Sequence, residues 1–160
     1  MKFAEEKLIK PATIEEIEEF EKKENITLPE DYKKFLLQHD NRSYPLKSMI
    51  IAMGIDNHMI QECIEYFYDL SDGVDYNLSK QRYVYEDRMP KNVLPIANLL
   101  GDNQICMRIS GDDKGSIFYW EREYELEYSR FNVKENLAKI SNNFDEFILM
   151  LLDDPDHVEE

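Results

Sequence analysis

VLPIANLLGDNQICMRISGDDKGSIFYWER, residues 93–122, decides the fold. Two strand-like runs flank a tight polar turn. In the first, Ile105, Met107 and Ile109 fall on one face and Gln104, Cys106 and Arg108 on the other, the period of two of a strand with one buried face. The second, Ser116 to Arg122, is β-branched and aromatic through Ile117, Phe118, Tyr119 and Trp120. Between them Gly111-Asp112-Asp113-Lys114-Gly115 supplies glycines for positive φ and aspartates that bond their own backbone. Pro95 lacks an amide proton, which makes Val93–Leu99 an edge strand or a strand entry rather than a central strand. Trp120 and Tyr119 alternate sides, so one is expected to pack inside and the other to show. The stretch reads as a β-meander on which helices pack.

Outward from it, Thr13-Ile14-Glu15-Glu16 fits a capping box opening a first helix, with Ile14, Ile17 and Phe20 at helical spacing. Pro29, Glu30 and Asp31 open a second, whose Tyr32, Phe35, Leu36 and His39 recur at i, i+3, i+4 and i+7. A short connector makes the two a hairpin. Lys47 to Met53 reads as a strand closed by Gly54. Ile60, Cys63, Ile64 and Phe67 predict a third helix running from Asp56 or Asn57 to about Leu70, with Tyr66, Tyr68 and Asp69 exposed. Val74 to Lys91 reads as an irregular loop holding a short strand or helix. Glu127–Val133 and Leu137–Ile140 each suggest a short strand. Asn143 and Glu146 open the last helix, with Phe144, Phe147, Ile148 and Leu151 on one face. Leu149, Met150 and Leu152 leave few polar positions, so the helix is either deeply buried or covers a sheet and lends its far side to a partner. The expected class is α+β: a mainly antiparallel sheet, its central meander at about 93–122, packed with an N-terminal helical hairpin, a middle helix and a C-terminal helix. One domain is expected over 1–160, with its core at about 13–152 and an acidic tail at 153–160.

Composition narrows the function. Thirty-four acidic against 19 basic residues give a net charge of −15, which repels nucleic acid and anionic lipid and steers towards basic partners. No apolar leader opens the chain and the longest apolar run, Phe147 to Leu152, is too short for a membrane span, so a cytoplasmic protein is expected. Cys63 and Cys106 then read as free thiols. No glycine-rich phosphate loop, nucleophile elbow, HExxH or CxxC is present. His39, His58 and His157 are scattered, and Asp112-Asp113 lacks the register of a calcium loop. No catalytic residue, metal or cofactor is expected.

In order, Ile14-x-x-Ile17-Glu18-x-Phe20-Glu21, Ile26-Thr27-Leu28-Pro29-Glu30-Asp31-Tyr32, Leu94-Pro95-Ile96-Ala97, Gly101-Asp102, Gly115, Ile117-Phe118-Tyr119-Trp120 and Asn143-Phe144-Asp145-Glu146-Phe147-Ile148 resemble the signature of the SUKH superfamily over Thr13 to Leu152. Asn41-Arg42 departs from the Asn-Gly that members carry after the second helix. The resemblance implies helices over a mainly antiparallel sheet and no shared catalytic residues. It also implies an immunity protein that neutralises a cognate toxin, often a nuclease, or else an interaction scaffold with an endogenous partner. The expected partner is a basic toxin domain, bound by a monomer or weak dimer without nucleic acid or membrane. Residues unlikely to be buried supply the candidate contacts: Asp69, Asp72, Asp75, Asp102, Asp112, Asp113, Glu121, Glu123 and Glu125, with Tyr76, Tyr83 and Tyr124 as anchors. The reading from a different class is a hydrolase or ligand-binding enzyme with a cleft around Trp120, which would need paired carboxylates of raised pKa.

Overall fold

The structure, a computed structural model, describes residues 11–38, 45, 47–71 and 76–154. Its helices are α1 (Ile14–Glu24), α2 (Glu30–Gln38), α3 (Leu78–Val84) and α4 (Phe144–Met150). Its strands are β1 (Lys47–Met53), β2 (Met59–Phe67), β3 (Val93–Leu99), β4 (Gln104–Arg108), β5 (Ile117–Trp120), β6 (Ala138–Ser141) and β7 (Leu152–Asp153). The strands form one seven-stranded antiparallel sheet in the order β6-β5-β4-β3-β2-β1-β7. The α+β class is therefore observed, and the 93–122 meander is its centre. None of the described helices is long and apolar enough to cross a membrane.

Both N-terminal helices form as their sequences dictate. The Thr13 hydroxyl accepts from the Glu16 amide while the Glu16 carboxylate accepts from the Thr13 amide, a complete capping box. Asn25 ends α1 in the left-handed region at φ 55°. Asp31, in the first turn of α2, accepts from the Phe144 and Asp145 amides and so ties α2 to the start of α4. Phe35 meets Phe67 of the sheet at 4.9 Å and Phe144 of α4 at 4.9 Å, centroid to centroid. These rings join Ile64, Leu94, Ile96, Ile105, Met107 and Ile117 in the main core.

Four expectations are corrected. The helix assigned to 57–70 is strand β2. Ile60, Glu62 and Ile64 alternate regularly, then an irregularity between Ile64 and Tyr66 adds a residue, so Phe67 returns to the buried face. That bulge turns a period of two into spacings of four and three, which is how a strand imitated a helix. The middle helix lies instead at α3, opened by Asn77, whose side chain accepts from the Lys80 amide. Second, β3 is internal, paired to β2 and β4 and buried along its length. Pro95 is tolerated because the β3–β4 register shifts just beyond it.

Third, the sheet centre is buried on both faces. Cys106 and Trp120 point away from α1, α2 and α4 into a second cluster with Met89 and Val93, covered by Tyr85 at the end of α3. Tyr119 and Trp120 are accordingly both buried, at 2% and 1% exposure, where one was expected to show. Fourth, 127–133 is not a strand: Tyr128–Phe131 is a short 3-10 helix, while the strand expected near Leu137 is β6. The Asn41-Arg42 departure, His39, His157 and the tail from residue 155 lie outside the described residues.

Candidate protein-binding surface

Antiparallel pairing brings three connections to one end of the sheet. They are the β1–β2 turn at Gly54–His58, the β3–β4 turn at Leu100–Asn103, and the exit from β5 at Glu121. The Asp56 carboxylate accepts from the His58 amide at 3.0 Å and from the Tyr124 hydroxyl at 3.0 Å. The His58 amide is the first reason that the Asp56 carboxyl sits below its ordinary value. Beside it Glu62, from the face of β2 that carries Ile60 and Ile64, accepts from the Tyr119 hydroxyl and from Asn103 Nδ2. Asn103 Oδ1 in turn accepts from the Arg122 amide at 2.9 Å, locking the β3–β4 turn to the β5 exit.

Glu121 stands in this acidic ground. Burial, followed by the charges of Asp56, Glu123 and Glu62, pushes its carboxyl up to about 7. These carboxylates thus share one end of the sheet with Asp102, and a like charge is what a basic partner relieves. Apolar groups lie alongside. Met53 and Met59 pair across the β1–β2 hairpin at 55% and 71% exposure, and Leu100, bonded through its amide to the Cys63 carbonyl, is half exposed. Apolar centres rimmed by charge are what protein interfaces are built from.

The expected contact residues divide. Asp102, Glu121, Glu123 and Tyr124 come together at this end, with Asp102 at 3.8 Å from Arg122. Asp112 and Asp113 lie at the opposite end, on the β4–β5 hairpin, and Asp113 is engaged by Arg108 at 3.2 Å. Asp69 is buried rather than exposed and accepts from the Ser71 amide. Tyr68 is buried as well, its hydroxyl donating to Gln104. Tyr76 packs edge-on against Tyr66, and Tyr83 stands 77% exposed on α3. Glu125 pairs with Arg88 at 2.8 Å. Asp72 and Asp75 lie outside the described residues. Asp56, Glu62, Met53 and Met59 were missed because a helical reading of 57–70 removes the β1–β2 hairpin that carries them to this end, and Leu100 gave no signal of its own.

The cleft beside Trp120, of about 450 Å³, contains three carboxylates, of which Glu125 and Glu135 are held in ion pairs by Arg88 and Arg108 and Asp87 is the third. Glu121 is not among its lining residues. Neither Cys63 nor Cys106 is in a disulfide, and burial pushes the Cys106 thiol up, which keeps it protonated. Among the described residues no three His, Cys, Asp or Glu side chains assemble a metal site.

The comparisons with known proteins agree with this architecture. The SPbeta prophage-derived uncharacterized protein YokK of Bacillus subtilis (strain 168) is 32% identical over 161 residues, covering 89% of this chain and 76% of that one. The family described as SMI1 / KNR4 family (SUKH-1) matches residues 11–150, from the approach to α1 to the end of α4. The chain belongs to the SMI1/KNR4 (SUKH-1) family.

Proposed function

We propose that the protein is an immunity protein that binds a cognate toxin, a basic nuclease domain, and neutralises it by occupation without chemistry of its own. The observation that carries this reading is the acidic end of the sheet, where Asp56, Glu62, Glu121 and Glu123 crowd together beside exposed Met53, Met59 and Leu100. A nuclease presents cations to its substrate. Carboxylates fixed by Tyr119, Tyr124 and Asn103 meet such cations already oriented, and the methionines adapt to an irregular apolar contact. The net charge of −15 adds long-range steering to that local fit. The prophage origin of the similar YokK protein suits a gene carried for competition between cells.

The test is binding kinetics with a toxin encoded beside the gene. Reversing Asp102 and Glu123 to lysine is expected to slow association about tenfold at low salt and to change dissociation less. Reversing Asp112 alone, at the far end of the sheet, is the control for reversing Asp102 alone. Equal losses from both variants, or rates indifferent to salt, would show that this end is not the contact. A general interaction scaffold remains the competing reading, and failure of the chain to protect poisoned cells while it still captures an endogenous partner would favour it.

A further inference from the structure

The chain is strongly acidic, yet one cavity has cations as its main charged lining. It lies between the C-terminal end of α1 and α3, with a volume of about 590 Å³, and it is lined by Lys23, Lys80, Arg82 and Lys91 together with Tyr83. Two carboxylates, Glu24 and Glu86, also line it. Glu24 is already committed to Arg82 at 3.8 Å. A second cavity adjoins it, sharing Arg82 and Lys91 and adding Lys114. The one carboxylate there, Glu21, is taken up by the Leu28 amide at 2.8 Å and by Lys33 at 3.4 Å. Among the described residues no carboxylate lies within ion-pair distance of Lys23, Lys91 or Lys114.

Arg82 is the pivot. Its contacts are long, 3.8 Å to Glu24 and 3.5 Å to the Lys91 carbonyl, and its Nη1 is buried without a hydrogen-bond acceptor. A guanidinium so placed gains from an anion entering beside it. Tyr83 offers an open ring next to these charges, 77% exposed. Cations that hold oxygen anions beside a free aromatic face are the chemistry that recognises a nucleoside phosphate, and the volume suits a ligand of that size.

We propose that the α1–α3 cavity binds a nucleoside phosphate, with Arg82 and Lys91 on the phosphates and Tyr83 stacked on the base. This site is separate from the acidic end of the sheet, so its failure would leave the toxin reading untouched. The test is calorimetric titration of the full chain with ATP, pyrophosphate and inorganic phosphate. ATP is expected to bind most tightly and pyrophosphate next. Arg82→Gln should weaken both about tenfold. Lys91→Gln, at an exposed position that the fold does not need, should weaken both about threefold. Tyr83→Ala should weaken ATP about tenfold and leave pyrophosphate unchanged. Binding of none of the three anions, or binding that Arg82→Gln and Lys91→Gln leave intact, overturns the proposal. A polyglutamate peptide that displaces ATP overturns the ligand class.

Discussion

Replacing Glu121 by glutamine should make the protein more stable at neutral pH while harming its interface. The side chain is held among Asp56, Glu62 and Glu123, and its carboxyl titrates at about 7 rather than 4.5. A folded-state pKa above the unfolded one means that the native protein keeps a proton the unfolded chain has given up. The favourable share is present in full below about pH 4.5 and is lost as the pH rises through 7. For a fully shielded carboxyl a displacement of this size would correspond to about 3 kcal/mol. Glu121 is only partly shielded, so about 1 kcal/mol is the expected gain for Glu121→Gln above pH 7. Urea melts of both proteins at pH 5 and pH 8 provide the measurement. The two curves should nearly coincide at pH 5 and separate at pH 8, with glutamine the more stable. Equal stability at pH 8, or a gain that does not change with pH, would refute the electrostatic account of this end of the sheet. A bound cation should draw the carboxyl down again, so toxin binding near pH 6 should release a proton.

Other substitutions examine the scaffold. Trp120→Ala empties a fully buried site against Met89, Val93 and Cys106 and should cost about 3–5 kcal/mol in denaturant melts. Thr13→Ala breaks the capping box of α1 and should cost about 1 kcal/mol, while Thr13→Ser should be close to neutral. Arg108→Met removes a guanidinium that spans Glu135, Asp113 and Asn92 and leaves two half-exposed carboxylates unpaired. It should cost about 2–3 kcal/mol at pH 7 in the same melts.

Much of this was legible from the residues because the local signals were mutually consistent. The capping box at Thr13, the meander around Gly111–Gly115 and the Asn143 start of α4 each depend on neighbours within a few positions. The misreadings share a different cause, which is that distant chain decides the outcome. β2 imitates a helix through a bulge whose location depends on pairing with β3. Pro95 suits an internal strand because β4 shifts register beside it. Tyr119 is covered because Glu62, from another strand, receives its hydroxyl. The acidic end was half visible: Asp102, Glu121, Glu123 and Tyr124 could be named, but their assembly with Asp56 and Glu62 needs the strand order. Asp112 and Asp113, equally acidic on paper, lie at the other end for the same topological reason.

The two-residue strand β7 has a practical corollary. Leu152 and Asp153 are what β1 has for a neighbour on its outer side. A chain cut after Met150 would lay bare the outer edge of β1 at Lys47–Met49, an invitation to pairing between molecules. Shortened versions of this protein should therefore precipitate before they unfold, and a fusion partner is better attached ahead of α1.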